Sequence, residues 1–245
     1  MCGVFGFISA GKGSPIDTTM LRKIAAYNEE RRGGHAWGVS WVDQAGKLRS
    51  YKAAGRIDGT LLAALTEDSK LLIGHLRWTT QGTEHENINN HPHPCDGGWI
   101  VHNGVLPDYH DIRETFSVPP NSDCDSEMLA IALAEAPGET IESKASWMLK
   151  ACQPSGRSPL VVLGLWHDRL IAIRQGNPLS AYITSAGTYL SSLTVPGITG
   201  KLDAITDDTV TEWHPKGSRY QRSVRKLEQR AHHRLASSKF GWWGN

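Results

Sequence analysis

Hydrophobic positions at the start of the chain change from a continuous run to a helical spacing. Residues 2–9 form an apolar run that predicts a buried strand, and a turn rich in glycine follows at residues 11–15. Asp17 can then cap a helix that continues to about Glu30, because apolar residues recur on one face of that segment. The chain therefore opens with a strand followed by an amphipathic helix.

The rest of the chain predicts further short strands and helices. Strands are predicted at residues 37–42, 47–53, 71–76, 99–102, 159–166, 170–174, 181–184, 189–193 and 210–213. Helices are predicted at residues 60–66, 109–116, 126–135, 139–152 and 218–237. This order indicates one layered α+β domain with antiparallel sheets over residues 1–215, followed by a basic helical extension over residues 216–245.

Composition and charge narrow the class of protein. The hydrophobic share of 39% and the charged share of 21% are typical of a globular domain. No apolar run is long enough to span a membrane, and no basic leader precedes the first strand, so we expect a cytoplasmic protein. The four cysteines form no C-x-x-C pair, which argues against a disulfide framework.

Charge is divided unevenly between the body and the end of the chain. The net charge is +1, but residues 216–245 alone carry eight Lys and Arg against one Glu. Such a tail is most often a solvated helix, although it can also dock a partner or a polyanion. Because the basic residues lack RNA-binding motifs and interleaved aromatics, a nucleic-acid partner is disfavoured.

Cys2 is a reactive side chain one peptide bond from the start of the chain. It can be an ordinary buried hydrophobe, since free cysteine is among the most buried residue types. Alternatively, removal of Met1 would leave Cys2 with both a thiol nucleophile and an α-amine that can act as its base. The position alone favours neither interpretation.

Two strand ends carry groups that suit polar ligands. Arg77 ends a predicted strand beside a loop with Thr, Gln and Gly, which suits bidentate capture of a carboxylate, although a surface ion pair is the commoner outcome. Asn103 and Gly104 follow another strand, where they form either a simple turn or an oxyanion hole. The nearby His102 and the His-Pro-His-Pro run favour the oxyanion hole.

A third polar segment, residues 121–127, precedes an apolar helix. Asp125 or Ser126 can cap that helix, with Glu127 in its first turn, and a carboxylate there can also bind a ligand ammonium group. A metal site is not expected, because the spacing of the nearby candidate ligands matches no familiar zinc site. Those ligands are His85, His91, His93 and Cys95.

Together these groups predict a site that grips a free amino acid and attacks its side-chain carbonyl. The motifs resemble the class II glutamine amidotransferases, whose glutaminase domains are N-terminal-nucleophile (Ntn) hydrolases, and most of all the glutaminase domain of glucosamine-fructose-6-phosphate synthase. The resemblance covers about residues 2–213. It rests on Cys2-Gly3-Val4, Arg32-Gly33 through Gly38, and residues 74–80, 89–93, 102–104 and 122–127.

The resemblance implies a fold, a reaction and a set of site residues. The fold is an α+β four-layer αββα sandwich of two stacked antiparallel sheets, and the reaction is hydrolysis of L-glutamine to glutamate and ammonia without a cofactor. Cys2 would attack the amide carbon and form a thioester, while Asn103 and the Gly104 N–H would hold the oxyanion. Arg77 and Asp125 would bind the substrate's carboxylate and ammonium groups. Three further residues would line or close the site: Trp78, Thr80 and His91.

The end of the chain bears on the expected partner. It falls where the resembling enzymes begin their synthase domain, so we expect ammonia to pass to a separate synthase subunit, docked through the basic tail. Two other functions stay open, a γ-glutamyl amide or peptide hydrolase and a non-catalytic module that senses glutamine. Cys2, Asn103 and Gly104 argue against the sensor, since a binder needs neither nucleophile nor oxyanion hole.

Overall fold

A computed structural model describes residues 2–11 and 14–228. The strands are β1 (Gly3–Ser9), β2 (Ala36–Asp43), β3 (Leu48–Ala54), β4 (Ser69–Arg77), β5 (His93–Cys95), β6 (Gly98–Gly104), β7 (Leu160–Leu165), β8 (Leu170–Gln175), β9 (Ser180–Ile183), β10 (Gly187–Ser191), β11 (Lys201–Ala204), β12 (Thr209–Lys216) and β13 (Arg219–Lys226). The helices are α1 (Thr18–Arg32), α2 (Gly59–Thr66), α3 (Tyr109–Ile112), α4 (Ser126–Glu135) and α5 (Ile141–Cys152). A short 3-10 helix spans Asn87–Asn89. None of the described helices is long and apolar enough to cross a membrane.

The strands form two antiparallel sheets. The first has seven strands in the order β11-β9-β10-β1-β4-β2-β3, and the second has six in the order β13-β12-β8-β7-β6-β5. Neighbouring strands in both sheets run antiparallel. The predicted α+β class with antiparallel sheets is therefore confirmed.

Three hydrophobic cores separate four layers. Val4 and Leu163 belong to the core between the two sheets, whereas Phe5 packs with Leu21 of α1 on the outer face of the first sheet. A third core joins the second sheet to α4 and α5. Because successive side chains of a strand point to opposite faces, β1 must be apolar on both sides, which explains its continuous run. The αββα sandwich is confirmed.

Local signals predicted several elements well. The Asp17 side chain accepts a hydrogen bond from the Met20 backbone N–H, as expected for the cap of α1. The helix predicted at residues 126–135 is α4, with the same bounds. Hairpin β2–β3 also lies where the pattern placed it, with only small shifts at its ends.

The prediction of a basic helix over residues 218–237 is wrong in the part that the structure describes. Strand β13 pairs with β12 in register Trp213↔Arg222, after a turn in which Gly217 has a φ of 63°. The hairpin spans the predicted boundary between residues 215 and 216, so the second sheet continues into the extension. Arg222 and Arg225 form ion pairs with Asp203 and Glu142, which stabilise the strand. Residues 229–237 lie outside the described chain.

Sheet register brings the N-terminus to the end of β4. Gly3 pairs with Leu76, so Cys2 lies beside the last residues of that strand. His75 of β4 contacts the backbone of His102 in β6, across the two sheets. The ends of β4 and β6 and the start of β1 therefore meet at one end of the sandwich.

Candidate active site

Cys2 is half-buried at this end of the sandwich. Its Sγ atom lies 3.4 Å from the backbone nitrogen of Trp78, which donates to it, and 3.5 Å from the Trp78 carbonyl oxygen. Burial raises the pKa of the thiol, and this effect outweighs the Trp78 N–H and the positive charge of Arg77, which act in the opposite direction. The thiol therefore needs a base before it can attack a carbonyl carbon.

Arg32, at the end of α1, is a neighbour of the thiol that sequence reasoning did not include among the site residues. Burial lowers the pKa of its guanidinium, and the negative charge of an ionised Cys2 opposes that effect. The buried Nη1 atom has no hydrogen-bond partner among the described residues. The Arg32-Gly33 pair in the family motif is the signal that pointed to it.

Asn103 lies in β6 with its amide group fully buried. Neither Oδ1 nor Nδ2 has a hydrogen-bond partner within the described part of the chain. Its backbone carbonyl oxygen, in contrast, accepts a hydrogen bond of 3.0 Å from Asn177 Nδ2. An unpaired buried amide costs about 1–3 kcal/mol, so this side chain is a candidate for contact with a polar ligand.

Gly104 ends β6 at a position where no larger residue fits. A Cβ atom there would lie 2.5 Å from His102 Nε2 and 2.9 Å from both the Leu160 Cβ and the Pro159 carbonyl oxygen. These contacts are too close for a real Cβ atom, and two of them involve strand neighbours that cannot move freely. Glycine is therefore required for packing, whatever its chemical role.

Arg77 is buried at the end of β4, which excludes a surface ion pair. Nη1 donates to Asn90 Oδ1 over 2.8 Å, and Nη2 donates to the carbonyl oxygens of Gln81 and Gly82. Among the described residues Arg77 has no acidic partner within ion-pair distance. A guanidinium has five N–H donors, so donors remain for a ligand while the loop is held.

Asp125 is buried at the N-cap position of α4, but its carboxylate accepts no hydrogen bond from a backbone N–H of that helix, contrary to the capping prediction for this residue. Its Oδ2 atom accepts a hydrogen bond of 2.8 Å from the Leu106 backbone N–H. Ser126 instead pairs with His102 Nδ1 over 2.9 Å. Asp125 therefore ties the start of α4 to the loop that follows Gly104.

The three residues expected to line or close the site differ in exposure. The Trp78 side chain is 49% exposed and stacks on His35, with 4.6 Å between ring centroids. Thr80 is exposed in the loop, whereas His91 is buried against His75 at 3.7 Å between centroids. Their contact with a substrate stays a prediction.

The metal ligands considered from the sequence are not brought together. His85 is exposed, and Cys95 Sγ donates to the carbonyl oxygen of Ala130, 3.3 Å away. His91 and His93 do lie together, but their cysteine neighbour is Cys124. Sequence spacing missed this residue because it lies on a different segment.

Comparison with known proteins indicates the family of the chain. No family model matches the chain. The chain is 34% identical over 207 residues to the glutamine–fructose-6-phosphate aminotransferase (isomerizing) of Chlamydia caviae. This alignment covers 78% of the chain and 32% of that relative. The enzyme of the same name from Aquifex aeolicus is 28% identical over 244 residues, covering 91% and 39%. The chain is recognised as a class II glutamine amidotransferase domain.

Solved structures agree on the fold of this amidotransferase domain. Glutamine phosphoribosylpyrophosphate amidotransferase from B. subtilis has a TM-score of 0.70 at 19% identity, over 94% of the chain and 50% of that structure. A glutamine aminotransferase class-II domain protein from Silicibacter pomeroyi has a TM-score of 0.63 at 16% identity, over 93% and 100%. The domain spans 32–39% of the length of the two aminotransferases, so it corresponds to one part of those proteins.

Proposed function

We propose that this domain hydrolyses L-glutamine to L-glutamate and ammonia, with Cys2 as nucleophile after Met1 is removed. The observation that carries the proposal is the contact of the Cys2 Sγ atom with the Trp78 backbone, directly after the buried Arg77. Arg77 and Asp125 are also near enough for their charges to act on the Cys2 thiol. The unpaired amide of Asn103 lies one residue before the end of β6, the strand that His75 joins to the Arg77 strand.

The reaction begins with proton transfer from the Cys2 thiol to its own α-amine, directly or through a water. Sγ attacks the amide carbon of the substrate, and the Asn103 side chain with the Gly104 N–H holds the oxyanion. The ammonium then returns the proton to the leaving nitrogen, and ammonia departs as the C–N bond breaks. Water hydrolyses the resulting thioester, which releases glutamate and restores the thiol.

Arg77 and Asp125 would hold the end of glutamine that does not react. A carboxylate suits the remaining donors of the Arg77 guanidinium, and an ammonium suits the Asp125 carboxylate. Because both side chains are buried, the contacts form away from bulk water, where charge-assisted hydrogen bonds are stronger. The site would thus favour a free amino acid over a residue inside a peptide.

Ammonia would pass to a separate acceptor synthase, and the basic extension is the segment we propose for its docking. Arg222 and Arg225 are already paired within the domain, so docking would rely on the other basic residues. Co-purification of the full chain, with and without residues 229–245, would test this. Loss of a co-purifying synthase on truncation is the expected result, and equal recovery would contradict it.

The mechanism is tested most directly by blocking the Cys2 amine. A cleavable extension ahead of Cys2 should leave the protein without glutaminase activity, and cleavage that makes Cys2 the first residue should restore it, with intact mass as the check on the N-terminus. Cys2→Ala should be inactive both before and after cleavage, with a glutaminase activity at least about 10³-fold below that of the cleaved wild-type protein. Full activity with the extension in place would overturn the mechanism. Higher kcat/KM for γ-glutamyl peptides than for glutamine would identify a peptide hydrolase instead.

A further inference from the structure

Three side chains that commonly bind metals converge beside the proposed glutaminase site. His91 and His93 follow the Asn87–Asn89 helix, and Cys124 lies two residues before α4. One ligand atom from each lies within 4.8 Å of the other two. All three residues are buried, with 1–4% of their surface exposed.

The cluster lacks the hydrogen bonds that buried polar groups normally have. Neither ring nitrogen of His91 has a partner among the described residues, and nor does Nε2 of His93. Cys124 Sγ makes a weak contact of 3.9 Å with Asp125 Oδ1. Buried polar atoms are usually paired, and leaving one unpaired costs about 1–3 kcal/mol. Because both ring nitrogens of His91 are unpaired, the one that lies within 4.8 Å of the His93 and Cys124 ligand atoms is free to bind an ion.

We propose that His91, His93 and Cys124 bind a transition-metal ion, and that zinc fits them best. Two imidazoles and a thiolate suit borderline and soft ions, and the absence of a carboxylate in the set disfavours Mg²⁺ and Ca²⁺. Zinc with three protein ligands keeps a fourth position for water or another small ligand. Tetrahedral zinc needs its ligand atoms about 3.3–3.6 Å apart, so ligand atoms that now lie within 4.8 Å of one another would draw together on binding.

The protonation state of His93 suits a metal ligand, whereas the Cys124 thiol must lose its proton before it can bind an ion. Burial lowers the pKa of His93 to about 3, so its imidazole is neutral, as a metal ligand must be. Burial raises the pKa of Cys124 to about 12. The ion would therefore displace the thiol proton to solvent and form the metal–sulfur bond with the thiolate. One proton is released for each ion bound.

The ion would connect two segments that carry proposed substrate contacts. Asn90, next to His91, accepts a hydrogen bond from Arg77, and Asp125 follows Cys124 directly. Asp123 already donates its backbone N–H to Asn89 Oδ1 over 2.9 Å, so the two segments are in contact without the ion. Metal binding would fix this contact. Because the ion binds the folded chain in preference to the unfolded chain, it would also raise the free energy of unfolding.

Cobalt titration of the full chain tests the site without measuring activity. Cys2→Ala is used as the background, so that the proposed nucleophile cannot bind the ion. After treatment with a chelator, one equivalent of Co²⁺ should give a near-ultraviolet thiolate-to-cobalt band, Zn²⁺ should remove it, and Zn²⁺ should raise the melting temperature. Adding Cys124→Ser should abolish the band. Cys95→Ser is the matched control, since its buried thiol is bonded to a carbonyl oxygen, and it should keep the band.

His93→Asn provides an independent variant if Cys124→Ser fails to fold, as judged by circular dichroism. It should weaken Co²⁺ binding by at least about tenfold, because one of three ligands is lost. His85→Asn, on an exposed side chain, should not change the affinity. The proposal is overturned if Co²⁺ gives no thiolate band, or if the band survives both Cys124→Ser and His93→Asn.

Discussion

His75 donates a hydrogen bond from Nε2 to the backbone carbonyl oxygen of His102, 2.9 Å away, and so joins the two sheets at the candidate site. Both residues are fully buried. Arg77 follows two residues later on β4, and Asn103 follows directly on β6. This hydrogen bond adds to the hydrophobic core between the sheets and joins the strand of the proposed carboxylate ligand to the strand of the proposed oxyanion hole.

Replacing Asn103 by alanine should lower kcat for glutamine about 10²–10³-fold, because the oxyanion loses a preorganised donor. KM should change little, since the interaction forms mainly in the transition state. Steady-state assays of ammonia release provide the measurement. Asn121→Ala, which removes the same amide from an exposed position, should leave kcat within about twofold of the starting value. A kcat near wild type for Asn103→Ala would remove this residue from the mechanism.

Asp125→Asn should impair recognition of the substrate ammonium group. We expect kcat/KM for glutamine to fall about 10–100-fold, because a charge-assisted hydrogen bond contributes about 1.5–3 kcal/mol. Asparagine keeps an oxygen for the Leu106 N–H, so the fold should be retained. Glutaramic acid, which is glutamine without the ammonium group, serves as the control substrate and should lose less than about threefold. Equal losses for both substrates would show that Asp125 acts only through structure.

Gly104→Ala should destabilise the domain by about 1–3 kcal/mol, because the new methyl group would overlap His102 and two strand neighbours. Urea unfolding followed by circular dichroism gives the change in free energy. Gly59→Ala is the matched control, since the atom nearest its added Cβ belongs to the flexible Arg22 side chain and Gly59 lies at the start of α2. That control should be neutral or slightly stabilising. Equal stability of the two variants would contradict the packing argument.

The folded domain should lose stability in mild acid, in part through His102. Burial lowers the pKa of His102 from 6.5, and the negative charge of Asp125 opposes this shift without cancelling it. Below about pH 6.5 the unfolded chain then binds a proton that the folded chain does not, so the free energy of unfolding falls as pH falls. The contribution reaches at most about 1.4 kcal/mol per pH unit. Urea titrations between about pH 5 and 7.5 should show a smaller slope for His102→Gln, and an unchanged slope would refute the assignment.

The sequence by itself determined the local elements. The continuous apolar run of β1, the Asp17 cap of α1 and the bounds of α4 follow from residue type and spacing, which act over a few neighbours. The ordered motifs also predict that the Cys2, Arg77 and Asn103 segments are parts of one site. Their proximity was an inference from family resemblance, since no local pattern reports how distant strand ends meet.

Only the tertiary structure decided which distant residues meet. Strand β13 forms because β12 offers an edge for backbone pairing along eight residues, which outweighs the local helix preference of a basic segment. Arg32 comes near enough to Cys2 for the charge of the thiolate to act on it, and Cys124 joins His91 and His93, through the sheet and loop contacts of the fold. The hydrogen bond from the Leu106 backbone N–H to the Asp125 carboxylate also joins segments that are distant in sequence. Burial and long-range pairing depend on the whole chain, so these relationships were absent from any short window of sequence.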